Sequence, residues 1–437
     1  MNYKSKKAII TYVIIILGAY LVLTGFQLLK KITGYNVPSL TRPDVTLQPG
    51  QTSLTHLKIS DGFKIEVFAK DLSGPRVIAF GPSGEVLVSE TKAGSVAILL
   101  DDDKDGVADS KKILIDGLNN PHGLAFFQKS DKDPTHLYIA ESNEVRRYPY
   151  DVNKLELIDK TGQSIVNLPD GGRHFTRTIA FGPNFRETPI LSGKRGNDTL
   201  APTKLYVSVG SSCDICVEST WKRAAILESD PDGSYTAEFA GGLRNAVFFD
   251  FHPVTGEIWA TEMGRDNLGD DLPPDEVNII KVATNEHEFG ARRYGWPFCY
   301  GKRVEDKTFK PAKVERIDIP SDCSQTESAT IELPAHSAPL GLTFISADQW
   351  PSEYKNNLLV AYHGSWNRSE PTGYKIVRFV TDSKGNIIKS EDFISGWLKS
   401  KDEILGRPVD LKFDAGGLLY ISDDAAGIIY KVTPLNG

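Results

Sequence analysis

Between Gly241 and Gly301 the sequence sets an Arg-Asn pair, a strand-turn-strand pattern and a carboxylate-rich loop within about sixty residues. Arg244 and Asn245 directly precede the apolar run 246–251, and Gly264, Arg265, Asp275 and Glu276 follow a second strand pattern at 257–261. Guanidinium, amide and carboxylate groups meeting at one rim of a sheet suit a polar, multiply anionic ligand held by charge-assisted hydrogen bonds, together with a cation. The same residue types also make a surface loop laced with ion pairs. The segment alone does not choose between the two.

Other segments carry chemistry of their own. In GGRHFTR (171–177), His174 sits on a glycine-flanked stretch, and imidazole is the side chain best suited to take a proton near neutral pH. LPAHSAPL (333–340) and AYHGSWNR (361–368) add His336, His363, Trp366 and Arg368, a set that suits a flat charged ring or a sugar. GRPVD (406–410) sets Arg407 just before a strand. Each also has a plain structural reading as a core histidine, a packing tryptophan or a rim ion pair. DDDKDGVAD (101–109) offers Asp101, Asp103, Asp105 and Asp109 as hard oxygen donors around a turn at Gly106. That pattern fits a structural Ca2+ loop, although Lys112 replaces the bidentate glutamate that closes an EF-hand, and a solvated acidic turn is the alternative.

The elements that must position these groups recur along the chain. Six times an apolar strand, a Gly/Pro/Asp turn, a second apolar strand and then small or polar residues appear in that order, beginning near Arg76, His122, Arg177, Asn245, Leu340 and Pro408. Paired β-branched and aromatic runs across a turn read as hairpins, and a period of this size is close to that of a propeller blade with variable loops. The predicted fold is therefore all-β, a six-bladed β-propeller over 58–437. Equivalent strand ends from different blades then meet at the central channel mouth.

Ahead of this domain, 8–29 is apolar and uncharged, long enough to span a hydrocarbon core, with Lys4, Lys6 and Lys7 before it. The expectation is a cytoplasmic tail (1–7), an uncleaved transmembrane anchor helix (8–29), a Pro/Thr/Gln-rich linker (30–57) and an outward-facing domain, periplasmic or otherwise extracytoplasmic. Four cysteines fit an oxidising compartment. Three pairings exist, and the sequential one, Cys213 with Cys216 and Cys299 with Cys323, closes the shortest loops. Zinc is disfavoured because no second C-x-x-C or His pair completes a tetrahedral set. A net charge of −7 with interspersed signs offers no field for a phosphate backbone, so nucleic acid is not a partner.

GGRHFTRTIAFGP, GLRN, ATEMGRDN through PPDEVN, YGWP, HSAPLGLTF, AYHGSWNR and GRPVDLKF, in this order from about Ile59 to Val432, resemble the PQQ-dependent sugar dehydrogenases, particularly the glucose and sorbosone dehydrogenase-like members. The resemblance implies a propeller binding pyrroloquinoline quinone (PQQ) and Ca2+ over the channel mouth, and oxidation of an aldose, sorbosone or related sugar by base-assisted hydride transfer. A separate quinone or cytochrome would accept the electrons. It implies that His174 is the base, that Arg244, Asn245, Asp275 and Arg407 meet the cofactor, and that the Gly264 and Arg265 carbonyls ligate its Ca2+. His336, His363 and Arg368 fall in cofactor-lining segments. The physical chemistry agrees: arginines match the cofactor's three carboxylates, and a divalent ion polarises its carbonyl.

The chain departs from the glucose enzymes at three places. Ser211, in the turn GSSCDIC, stands where an aspartate orients the base, with Asp214 nearby as a substitute. Met263 replaces a glutamine, and Gly364 or a neighbour replaces a cofactor-binding lysine. Two other functions compete: a non-catalytic glycan- or protein-binding propeller, favoured by the missing aspartate, and a calcium-dependent lactonase-type hydrolase, for which Glu262 and Asn278 are available.

Overall fold

The computed structural model describes residues 39–40, 54–185, 203–282, 291–311, 319–382 and 386–435. The expected tail, the anchor at 8–29 and most of the linker lie outside these residues. Among the described residues no helix is long and apolar enough to cross a membrane.

Six antiparallel sheets form the predicted propeller. Their innermost strands are Pro75–Phe80, Leu124–Phe127, Ile179–Pro183, Phe249–Phe251, Pro339–Phe344 and Pro408–Phe413. Each blade continues outward through hairpins, as in Pro75–Phe80, Val86–Glu90, Ser95–Leu100 and Ser110–Ile115 of blade 1. The second strands, such as Val86–Glu90, Ile258–Glu262 and Leu419–Asp423, are buried along their whole length. They lie between neighbouring blades, so both faces are covered and the sequence need not alternate. The outermost strand of blade 1 begins polar and exposed at Ser110 and Lys111 and ends buried at Leu114 and Ile115.

The ring closes by exchange of its ends. Phe63–Ala69, which precedes the first blade, pairs with Ile428–Pro434 as the outer strand of blade 6, from Phe63 opposite Pro434 to Ala69 opposite Ile429. Opening the ring there would expose the buried Phe63, Ile65 and Val67. Further ties between blades fix the inner strands relative to one another. Thr178 Oγ1 donates to Val247 O (2.6 Å), Thr261 Oγ1 to Leu340 O (2.7 Å), and Ile78 N to Asp410 Oδ2 (2.8 Å). The channel mouth is therefore assembled from chain segments held in register by buried hydrogen bonds.

A long insertion between Asp275–Ile280 and Ile331–Leu333 of blade 4 reaches over blade 3, where Arg292–Arg293 adds a parallel edge to Thr236–Gly241. Arg293 forks onto Glu238 at 2.6 and 2.9 Å. Both disulfides pair as the sequence predicts, Cys213 with Cys216 and, in this insertion, Cys299 with Cys323.

Candidate active site

The motifs converge where inner strands begin and second strands end. A cavity of about 180 Å3 opens there, and its walls include His174, Arg244, Gly264, Asp275 and His336. These five expected site residues come from blades 3, 4 and 5, and the structure brings them together. Arg173, Met263, Asp266, Ala338, Trp366 and Asn367 complete the lining.

His174 follows two glycines in left-handed conformations, Gly171 and Gly172, and faces the turn after Thr203–Val209. Its Nδ1 lies 3.0 Å from both the carbonyl and the hydroxyl oxygen of Ser211. A carbonyl only accepts, so Nδ1 carries the proton and Nε2 keeps the lone pair. Burial, reinforced by the positive charge of Arg244, pushes the imidazole pKa down to about 3, so the ring is neutral at physiological pH. Gly210 must be glycine for reasons of space: a Cβ there would fall 2.4 Å from Asn245 Oδ1 and 2.6 Å from His174 Cβ.

Arg244 is buried and already engaged. It donates to Asp214 O (2.9 Å), Asp214 Oδ1 (2.8 Å), Met263 O (3.1 Å) and Asp266 Oδ2 (3.3 Å). Asp214 therefore does not replace the missing aspartate as partner of His174; Ser211 does that, and Asp214 neutralises Arg244 instead. Arg173 meets the same Asp266 oxygen, Oδ2, and lies 5.9 Å from the Trp366 ring, which is 46% exposed at the rim. Asn367 Nδ2 donates to Asp266 Oδ1 (2.7 Å) and approaches His336 Nδ1 (3.4 Å), while His336 Nε2 meets Gly269 O (2.9 Å).

Asp275 accepts from Gly264 N (2.9 Å), Ala338 N (2.9 Å) and Ser337 Oγ (3.2 Å), tying blade 4 to blade 5. Burial raises its pKa to about 6 despite those donors. The Gly264 turn packs so closely on Pro273 and Pro274 that a Cβ would sit 2.9 Å from each. His336 and Ala338 both adopt positive φ, 62° and 52°, conformations that cost free energy and persist where surrounding bonds fix them.

Not every expected residue reaches this cavity. Asn245 lies behind it, its Nδ2 on Met263 Sδ (3.4 Å) and its buried Oδ1 without a partner among the described residues. The Arg265 side chain turns to Asp306 Oδ2 (2.9 Å) and Thr308 Oγ1 (3.0 Å) on the insertion. Arg368 clamps the loop carbonyls of Asp270 and Ala335. His363 and Arg407 belong to a neighbouring cluster: His363 Nε2 meets Asp424 Oδ1 (2.8 Å), Arg76 meets Asp424 Oδ2 (2.7 Å), and Arg407 donates to Gly364 O (3.1 Å) and Tyr374 Oη (3.2 Å). Burial opposes ionisation of Asp424, but His363 and Arg76 hold its carboxyl below the usual range.

Glu262 and Asn278, the groups a hydrolase would need, also miss the cavity: Glu262 accepts from Asn245 N (3.1 Å), and Asn278 donates to Glu276 (2.8 Å). The acidic loop joins the third and fourth strands of blade 1, at the opposite end of the propeller from His174. Asp101, Asp103 and Asp109 converge there to within 4.8 Å. Asp105 does not join them; its Oδ1 accepts from Val107 N (2.8 Å). Sequence reasoning did not single out Arg173, Asp266 and Asn367. Each adjoins a residue it did: Arg173 precedes His174, Asp266 follows Arg265, and Asn367 precedes Arg368.

Comparison with known proteins agrees with this architecture. Solved structures similar to the chain include family AA12 of the carbohydrate-active enzymes from Trichoderma reesei (23% identity, TM-score 0.68, 88% of this chain and 99% of that one). The holo PQQ domain of pyranose dehydrogenase from Coprinopsis cinerea is similar too (21% identity, TM-score 0.68, 90% and 100%). At these identities the likeness is one of fold. An uncharacterised protein of Borreliella burgdorferi is 31% identical over 86% of this chain and 90% of its own length. The Coprinopsis cinerea PQQ-dependent pyranose dehydrogenase is 24% identical over 87% of this chain, which spans 55% of that enzyme. The TrAA12-like family model matches residues 57–434, nearly the whole propeller, and the chain belongs to that family.

Proposed function

We propose that the chain is a PQQ- and Ca2+-dependent dehydrogenase that oxidises an aldose, sorbosone or related sugar, with His174 as the base. The observation that carries this reading is a neutral imidazole, fixed through Nδ1 on Ser211, lining one cavity with Arg173, Arg244, Asn367 and Trp366. Names of relatives add support, since two of them are PQQ-dependent sugar dehydrogenases.

The residues present fit the cofactor. The buried Oδ1 of Asn367, which lines the cavity, has no partner among the described residues, and Trp366 presents a ring beside it. In the neighbouring cluster the Arg407 guanidinium bonds only neutral groups and pairs with no carboxylate among the described residues, so its charge is left for an anionic ligand. The Gly264 turn, fixed by Asp275, would direct the Gly264 and Arg265 carbonyls to the metal. When bound, PQQ with Ca2+ supplies an electrophilic carbonyl that takes up hydride. His174 Nε2 takes the proton of the substrate hydroxyl, and Ser211 holds the resulting imidazolium by its Nδ1–H. Trp366 and Arg173 wall the entrance and exclude part of the solvent.

The loop 101–109 would hold a second, structural Ca2+ through Asp101, Asp103 and Asp109. Residues 8–29 would anchor the enzyme in the inner membrane with the propeller outside the cytoplasm, where two disulfides persist. An external quinone or cytochrome would then reoxidise the cofactor.

The test adds PQQ and Ca2+ to the full-length protein and follows quinone absorbance and sugar-dependent dye reduction. Binding at micromolar cofactor with turnover on a sugar panel supports the proposal; no bound quinone overturns it. His174→Ala should keep the cofactor and lose turnover, and unchanged turnover would remove His174 as the base.

A further inference from the structure

Residues 210–217 contain no strand or helix, yet they supply the partners of both the base and the buried arginine. The Ser211 hydroxyl donates to Cys213 O (2.6 Å), which leaves its lone pairs for the Nδ1–H of His174 at 3.0 Å. The next residue, Asp214, receives Arg244 through its carbonyl at 2.9 Å and its carboxylate at 2.8 Å, and its Oδ1 also accepts from Asp266 N at 2.9 Å. Trp296 Nε1 adds a further bond to Asp214 O (3.3 Å). These contacts all fall inside or directly before the ring that the Cys213–Cys216 disulfide closes. On its far side the buried Glu218 accepts from Ser212 N (2.5 Å) and Ser212 Oγ (2.9 Å), and Arg173 N donates back to Ser212 O (2.8 Å).

A loop without a ladder has many conformations, and a covalent ring over two intervening residues removes most of them. We infer that the Cys213–Cys216 disulfide is a positioning device for the site. It holds Cys213 O where Ser211 can fix His174 in the Nδ1–H form, and it holds Asp214 where Arg244 stays turned toward Asp266. The kinetic consequence rests on the proposed dehydrogenase function; the control of His174 does not. Reduction by a dithiol breaks the S–S bond, gives each sulfur a proton and an electron, and converts the reductant to its own disulfide. Cys213 and Cys216 are both half-buried and reachable, whereas Cys299 is buried.

The experiment compares full-length C213S/C216S with C299S/C323S. The ring 15N shifts of His174, assigned by difference against His174→Gln, are read without cofactor; PQQ affinity, kcat and KM are read with it. The expected result for C213S/C216S is a mixture of imidazole tautomers, weaker PQQ binding, and kcat reduced about tenfold or more at little-changed KM, as a misplaced catalytic group gives. C299S/C323S should keep the wild-type tautomer. If C213S/C216S does not fold, dithiothreitol reduction of folded C299S/C323S gives the same readouts. Unchanged ring shifts on loss of the Cys213–Cys216 bond would overturn the inference. A wild-type protein that binds no PQQ would instead defeat the proposed function, and the shifts would still decide this one.

Discussion

His174 and Ser211 meet through two oxygens at once, with Nδ1 of the imidazole 3.0 Å from the serine carbonyl and 3.0 Å from its hydroxyl. A neutral pair replaces the carboxylate that orients the base in the glucose enzymes this chain resembles. The tautomer is fixed without a carboxylate, but the imidazolium formed on proton uptake receives less electrostatic support.

Removing the hydroxyl alone should therefore have a limited effect. Ser211→Ala keeps the carbonyl contact and fits the buried site, so kcat is expected to fall about fivefold, the worth of one hydrogen bond near 1 kcal/mol, with KM unchanged. Steady-state kinetics on the best substrate check this. A loss of a thousandfold would mean that the carbonyl contact does not hold the ring.

The charge state of His174 gives a second test. Burial and Arg244 lower its pKa to about 3. The unfolded chain thus binds the proton more readily than the folded one near pH 5. The stabilising contribution of the neutral ring is complete above about pH 6.5 and is lost as pH falls toward 3. In the cofactor-free protein the His174 ring shifts should stay flat from pH 8 to pH 5, and His174→Gln should reduce the loss of stability on acidification. A ring that titrates near 6.5 would contradict the buried, Arg244-facing geometry.

Arg177 makes a third prediction. Fully buried, it donates to His174 O (3.0 Å), Thr176 O (2.9 Å) and Pro169 O (3.0 Å), and Arg223 meets the same Pro169 carbonyl at 3.1 Å. Burial, with the like charge of Arg223, lowers its pKa to about 10, yet it remains charged at neutral pH. Two guanidinium groups thus clamp the backbone that carries the base. Arg177→Met removes the donor of the His174 and Thr176 carbonyls, leaves the Pro169 carbonyl to Arg223 alone, and should cost about 3 kcal/mol or more of unfolding free energy, read from urea denaturation. A variant within 1 kcal/mol of the wild type would show that water replaces the clamp.

Much of this was legible before the structure. Blade number and strand pairing follow from six repeats of one apolar-turn-apolar pattern, because a hairpin with two apolar faces is covered only between like neighbours. The cysteine pairs followed from loop length. The cavity was partly legible: His174, Arg244, Asp275 and His336 converge as the motifs imply. The ion-pair partners were not, because Arg173 and Asp266, or His363 and Asp424, are remote in sequence and meet only through blade packing. The exchange of roles between Ser211 and Asp214 was hidden for a different reason. Both lie in one turn, and only the ring closed at Cys213 and Cys216 decides which of them faces the imidazole.

The acidic loop of blade 1 supplies the last prediction, and its contacts explain why an ion there would matter. Asp101 Oδ2 accepts from Gly106 N (3.0 Å) and Asp109 Oδ2 from Asp102 N (2.7 Å), while Asp101 Oδ1 is buried without a partner among the described residues. The loop also touches both strands that close the ring: Ala108 N donates to Phe68 O (2.7 Å), and Lys431 Nζ to Gly106 O (2.5 Å). Ca2+ bound by Asp101, Asp103 and Asp109 would relieve the repulsion among three carboxylates and stiffen the seam that closes the propeller. Calcium at a hundred times its dissociation constant should raise the unfolding free energy by about 2.7 kcal/mol. Asp109→Asn should remove most of that increment while leaving PQQ binding intact. An equal calcium response in Asp109→Asn would assign the effect to a site other than the acidic loop.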